Sequence, residues 1–106
     1  MARIISIDTS DNKKINIGLE VNGVKSNLSQ EVAILKSEAA LPLIDKVLKD
    51  NNLKIEEIDE IKVNTGPGSY TGIRVGVAIA NALGFVLKIP INGKKIGELV
   101  TPVYNK

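Results

Sequence analysis

The chain has 106 residues, a formal net charge of +2, and neither His nor Cys. Without imidazole or thiol groups it can form no Ser-His-Asp or Cys-His catalytic centre, no disulfide bond and no ordinary zinc protease site. Its charges are spread along the chain and only two Tyr and one Phe are present, so we expect no strong direct binding of nucleic acid.

The length predicts one domain, and the apolar residues, which make up 43% of the chain, suffice for one aliphatic core. Apolar runs fall short of the length of a membrane span, and the N-terminus lacks the segments of a signal peptide. We therefore expect a cytoplasmic protein that does not enter a membrane.

Three strands are predicted in the first third of the chain. The apolar residues of 3–7 give way to Asp8-Thr9-Ser10, which indicates a strand that ends in a polar loop. Apolar and polar residues alternate over residues 14–21, which indicates a strand with one face exposed to solvent. Asn22-Gly23 suits a type I′ turn, so residues 24–28 should pair back antiparallel.

Helical spacing of apolar residues begins after Ser29, the expected N-cap, and continues to about Lys49. Pro42 lies inside this pattern and predicts one kinked helix. Residues 53–59 indicate a connecting turn.

The second half predicts a strand over residues 61–65, a glycine-rich loop, a helix over 70–88 and a last strand over 89–93. The complete order predicts an α/β domain with a mixed sheet of about five strands and two main helices. The first three strands are expected to pair antiparallel, and the later strands are expected to be joined by helices in parallel crossover connections.

The glycine-rich loop precedes a helix N-terminus, an arrangement that commonly holds phosphate. However, the spacing of Gly66, Gly68 and Gly72 matches neither the Walker A nor the dinucleotide fingerprint. Two interpretations stay open: a phosphate site, or a structural turn capped by Ser69 or Thr71. In the first, five residues lie near the phosphates: Asp8, Thr9, Gly66, Gly68 and Ser69. Asp8 has the chemistry to hold a metal or to orient a nucleophile, but a polar residue at the end of a strand more often forms a turn or a cap.

The predicted second helix is apolar around nearly its whole circumference, whereas a surface helix needs an apolar arc on one side only. One aliphatic face, expected to pack on the sheet, holds Val75, Ile79, Leu83 and Val86. Beside it runs a stripe of small residues, Gly72, Gly76, Ala80 and Gly84. The first helix also has a wide apolar arc. Either the two helices cover each other, or they present a shared face to another protein.

Three segments resemble the TsaB family, also called YeaZ: residues 4–10 (IISIDTS), 37–45 (SEAALPLID) and 66–76 (GPGSYTGIRVG). The family belongs to the bacterial machinery that makes threonylcarbamoyladenosine in tRNA. The resemblance covers roughly residues 1–97 and implies an actin-like, ribonuclease-H-like first domain. Residues 98–106 are expected to form a C-terminal tail, with the family's usual second domain absent.

The resemblance further implies a subunit without catalysis of its own, which serves as a dimerisation scaffold for the catalytic subunit TsaD, with TsaE as a further ATPase subunit. In the family, the two helices of the first domain pair with those of a partner. In this chain, the resemblance therefore implies an interface around Leu35, Ala39, Leu43, Gly72, Gly76 and Ala80, and a homodimer in isolation.

We expect no cofactor and no metal, because an actin-like nucleotide site lies between two domains. The alternative is the first half of an ATP-dependent phosphotransferase of the same broad fold, whose glycine-rich loop contacts phosphate.

Overall fold

A computed structural model of the chain describes residues 2–11, 13–31 and 36–103. Four strands and two helices follow one another as β1 (Arg3–Asp8), β2 (Lys14–Val21), β3 (Val24–Glu31), α1 (Lys36–Asp50), β4 (Glu60–Val63) and α2 (Tyr70–Leu87). A short 3₁₀ helix, Ile55–Glu57, precedes β4. The sheet order is β3-β2-β1-β4, with β4 parallel to β1 and the other pairs antiparallel. The predicted α/β class is thus confirmed.

The hairpin between β2 and β3 forms at the predicted turn. Asn22 and Gly23 both have positive φ, 53° and 84°, as a type I′ turn requires. The predicted end of the third strand at residue 28 was wrong, as was the role of Ser29 as a helix cap. β2 has eight residues and all of them pair, so β3 continues to Glu31 and Ser29 lies opposite Asn16.

The helix α1 is a single element with Pro42 inside it, as predicted. It and α2 pack on one face of the sheet, where Ile5, Ile7 and Ile17 are almost completely buried. The alternate strand residues, among them Ser6 and Lys62, lie on the opposite face. In the part of the chain that the structure describes, the main hydrophobic cluster therefore lies between the sheet and the two helices.

The predicted last strand is reduced to a single parallel bridge between Ile61 and Ile91. Pro90 has no N–H to donate to a strand, and the positive φ of Asn92 (52°) and Gly93 (74°) turns the chain away. The side chain of Asn92 continues the pairing instead. Val63 N donates to Asn92 Oδ1 (2.8 Å), and Asn92 Nδ2 donates to Val63 O (3.1 Å).

By length and composition alone α2, with 18 residues, is long enough to cross a membrane, contrary to our expectation that no segment reaches that length. In the folded domain one side of α2 packs on the sheet, with Ile73, Val77 and Ala80 buried. Such packing is typical of a core helix.

Candidate functional site

Polar side chains gather where the parallel strands β1 and β4 end. Asp8 Oδ1 accepts hydrogen bonds from Ser10 Oγ and Ser10 N, the latter at 2.9 Å. Asn64 Nδ2 donates to Asp8 Oδ1 (3.3 Å) and to Ser10 Oγ (3.1 Å). Sequence reasoning missed Asn64, because the prediction placed it inside a strand over residues 61–65, whereas β4 ends at Val63 and Asn64 directly follows it. The cluster holds together the two loops that leave this edge of the sheet.

Thr9 lies beside this cluster and is completely buried. Its Oγ1 donates to Gly72 O and accepts a hydrogen bond from Gly76 N (3.1 Å), so the hydroxyl joins β1 to the backbone of α2. A Cβ at Gly76 would lie 2.4 Å from Thr9 Oγ1, which makes glycine necessary at this position. In this arrangement the hydroxyl of Thr9 is directed to the helix backbone.

The glycine-rich loop packs against its own chain. Ser69 N donates to Ser10 O (2.7 Å), and a Cβ at Gly68 would lie 2.5 Å from Ser10 Cβ. At Gly66 a Cβ would lie 2.2 Å from Val103 O. Residues of the same chain thus occupy the space beside both glycines, which accounts for glycine at these two positions.

The start of α2 has the predicted cap. Ser69 Oγ accepts a hydrogen bond from Gly72 N (3.3 Å) and so satisfies one of the amides at the helix N-terminus. In the described part of the chain no group of three acidic, His or Cys side chains is arranged to hold a metal ion. In the same part, every buried side-chain nitrogen and oxygen atom has a hydrogen-bond partner.

The orientation predicted for α2 was wrong. The small-residue stripe packs on the sheet, and Gly72, Gly76, Ala80 and Gly84 are all buried. The aliphatic face expected there lies at the flank instead: Ile79 and Leu83 are half-buried beside the core, and Val86 is 72% exposed. Glycine allows the closer approach: a Cβ at Gly84 would lie 2.5 Å from Ile91 Cδ1.

This orientation corrects the predicted interface. Gly72, Gly76 and Ala80 are buried within the domain, as is Leu43, so none of them presents a surface to a partner. Ala39 is half-buried, and Leu35 lies outside the described residues.

The surface that α2 does expose is largely apolar. We call its outward residues the outer stripe: Thr71, Arg74, Ala78, Ala82 and Phe85. Phe85 is 76% exposed, although large aromatic side chains are usually buried. Towards α1 the stripe is flanked by half-buried Val75 and Ile79. An exposed apolar surface of this kind is typical of a protein–protein contact.

A shallow groove lies in the amino-terminal half of this surface, lined by Tyr70, Thr71, Arg74, Val75, Ala78 and Ile79. The guanidinium carbon of Arg74 lies 5.4 Å from the centre of the Tyr70 ring, and Arg74 Nη1 donates to Tyr70 Oη at 3.3 Å. These two side chains brace each other at the wall of the groove, which we call the Tyr70 groove.

The sequence and the fold of the chain were compared with those of known proteins. A protein family described as "TsaD: tRNA N6-adenosine threonylcarbamoyltransferase" has a model that matches residues 28–94. Two curated relatives carry the name "tRNA threonylcarbamoyladenosine biosynthesis protein TsaB". The Bacillus subtilis protein is 30% identical over 96% of this chain and 49% of its own length. The Haemophilus influenzae protein is 31% identical over 83% of this chain and 37% of its own length.

The chain thus spans about half the length of these relatives, or less. Among solved structures, "YeaZ from Pseudomonas aeruginosa" superimposes with a TM-score of 0.81 at 23% identity, covering 90% of this chain and 44% of that one. This agreement confirms the fold that the resemblance implied.

Proposed function

Because the chain belongs to the TsaB (YeaZ) group of the family that the TsaD model describes, we propose that it is a non-catalytic subunit of the machinery that makes threonylcarbamoyladenosine in tRNA. Its role is that of a scaffold. It pairs through its helices with a TsaD-like catalytic subunit or with a second copy of itself, in the cytoplasm, and a TsaE-like ATPase is a further partner.

One observation supports this role above the others: α2 is apolar on two opposite sides, and the domain buries one of them. Ile73 and Val77 are buried against the sheet, whereas Phe85 is 76% exposed and Val86 72% exposed on the outer side. Covering these side chains would remove apolar surface from water, which is the main driving force of protein association. The interface we propose is therefore the outer stripe with its flanking residues.

The strand-end cluster supports a role without catalysis. The carboxylate of Asp8 accepts hydrogen bonds from the loop that follows it, and the hydroxyl of Thr9 is bonded to the backbone of α2. The chain has no His and no Cys to serve as base or nucleophile. The groups most suited to chemistry at this edge of the sheet are thus engaged in holding the fold together.

The test is co-purification of the tagged chain with a TsaD protein from the same organism. Ala78→Glu places a carboxylate in the middle of the outer stripe, where apolar contact is expected, and should weaken association at least about tenfold, as desolvating an unpaired charge is costly. The matched control is Ser29→Glu, which adds the same charge at an exposed position of β3. Equal losses in both variants, or no association of the unaltered chain, would contradict the proposal.

A further inference from the structure

The dipeptide Asn-Gly occurs twice in the chain, at Asn22-Gly23 and at Asn92-Gly93. In such a pair the backbone nitrogen of the glycine can attack the side-chain amide carbon of the asparagine, because glycine has no Cβ to obstruct the approach. In both pairs the asparagine and the glycine have positive φ, and in both a β-branched residue precedes them. The two sites therefore share their local chemistry and backbone conformation and differ in what surrounds them.

At Asn92-Gly93 both reacting groups are engaged in hydrogen bonds. The side-chain amide of Asn92 is bonded at both ends to the backbone of Val63, at 2.8 and 3.1 Å. Gly93 N, the nitrogen that would attack, donates to Glu60 Oε2 at 3.1 Å. The carboxylate also opposes the loss of a proton from this nitrogen, because a nearby negative charge disfavours a second one. Cyclisation at this site therefore requires the loss of all these bonds.

Asn22-Gly23 lies at the end of the hairpin that points into solvent. Both residues are exposed, and a Cβ at Gly23 would have no neighbour within 4 Å. Gly23 N donates to no acceptor among the residues that the structure describes. The strand β3, which leaves the turn, contains no buried residue. The turn can thus open without exposing the core, and local opening of this kind costs little free energy.

We propose that Asn22 is a site of spontaneous deamidation in the folded chain and that the hydrogen bonds of Asn92 protect the second Asn-Gly pair. Gly23 N forms a bond to Asn22 Cγ, and the bond between Cγ and the side-chain nitrogen breaks. The proton of Gly23 N passes through solvent to the departing nitrogen, which leaves as ammonia. The product is a five-membered succinimide ring. A water molecule then opens the ring at one of its two carbonyls, which gives aspartate or isoaspartate at position 22.

The two products affect the hairpin differently. Aspartate, like asparagine, tolerates the left-handed conformation that position 22 requires. Isoaspartate adds a methylene group to the backbone between β2 and β3, whose register depends on a connection of two residues. We therefore expect isoaspartate to disrupt the pairing next to the turn. Both products add a negative charge, so the formal net charge falls by one from +2.

The test is incubation of the folded chain in mildly alkaline buffer, followed by trypsin digestion and mass spectrometry. Trypsin cleaves after lysine and yields residues 15–25 and 89–94 as separate peptides, so one sample reports both sites. We expect deamidation at Asn22 to be at least about tenfold faster than at Asn92. The matched control is the same incubation in urea sufficient to unfold the chain, where the two rates should become similar. A sample taken before incubation corrects for deamidation during digestion.

A variant tests the cause of the protection at Asn92. Glu60→Ala removes the acceptor of Gly93 N and should raise the rate at Asn92 by about two- to tenfold, with no change at Asn22. Glu56→Ala removes the same charge at an exposed position of the 3₁₀ helix and should change neither rate.

A preference for Asn22 that is present in the folded chain and disappears in urea supports the proposal. Equal rates at the two sites of the folded chain, or a preference that persists in urea, would overturn it. It is also overturned if Asn22 stays intact in the folded chain while the unfolded chain reacts at both sites. An unchanged rate at Asn92 in Glu60→Ala would overturn the protection assigned to the Gly93 hydrogen bond.

Discussion

The hydroxyl of Thr9 stands between the carbonyl of Gly72 and the amide of Gly76, two groups that an α-helix ordinarily joins to each other. A side chain from the end of β1 thereby takes part in the backbone hydrogen bonding of α2. Both partners in the helix are glycines, so the strand end can come this close. The contact fixes the rotation of α2 about its own axis, and that rotation determines which residues face outwards.

Thr9→Val tests this contact, because it keeps the side-chain shape and removes the hydroxyl. We expect a loss of about 1–3 kcal/mol in the free energy of unfolding, measured by urea denaturation, since buried backbone groups lose their partner. Thr71→Val makes the same change at an exposed position of the same helix and should change stability by less than about 0.5 kcal/mol. Similar effects in the two variants would show that the hydroxyl contributes nothing.

Gly76→Ala tests the close approach of strand and helix. Alanine is favoured over glycine in a helix by about 1 kcal/mol. The added Cβ would nevertheless lie 2.4 Å from Thr9 Oγ1, so we expect net destabilisation. In the Thr9→Ala background the obstructing hydroxyl is gone, and Gly76→Ala should then cost much less. A double-mutant cycle by urea denaturation measures this coupling, and additive effects would contradict the predicted clash.

Asn92→Ala tests the side chain that replaces the expected fifth strand. The variant removes two hydrogen bonds to the backbone of Val63, and we expect a loss of about 1–3 kcal/mol in unfolding free energy. Asn52 is the matched control because it also has a positive φ, 56° against 52° for Asn92, and shows no side-chain hydrogen bond to the described residues. The free energy of unfolding is measured for Asn92→Ala and for Asn52→Ala, and the two losses are compared. If the two losses are equal, the side-chain hydrogen bonds of Asn92 contribute nothing, and the loss is due to the backbone conformation alone.

Calorimetric titration with Mg-ATP tests the phosphate interpretation of the glycine-rich loop. We expect no measurable binding up to millimolar nucleotide, because the glycine spacing of the loop matches neither the Walker A nor the dinucleotide fingerprint. A saturable binding heat that is lost in Asp8→Asn would contradict this expectation and favour the phosphotransferase alternative.

Local sequence patterns predicted the elements whose limits are set by neighbouring residues. The cap at Ser69 and the left-handed conformation of Lys88 bound α2 close to the predicted 70–88, and the Asn22-Gly23 turn set the register of the hairpin. The rotation of α2 could not be predicted in this way. Both sides of the helix are apolar, and the choice between them depends on Thr9, more than 60 residues earlier in the chain.

The position of the candidate site could be predicted from the sequence, but the contacts of its polar groups could not. Asp8, Thr9 and Ser69 do lie together at the edge of the sheet, as their places at element ends indicated. What the sequence could not show is that their polar groups are directed to each other and to the backbone. That depends on the approach of the glycine-rich loop to Ser10, a contact between distant segments.

In the described part of the chain, β3 has a neighbour on one side only, so it forms a free edge of the sheet. Edge strands can add strands from other molecules, and repeated addition has no natural end. Lys25 and Glu31 place charges near both ends of β3 and make such growth unfavourable. The charged edge of β3 thus disfavours repeated strand addition between copies of this chain.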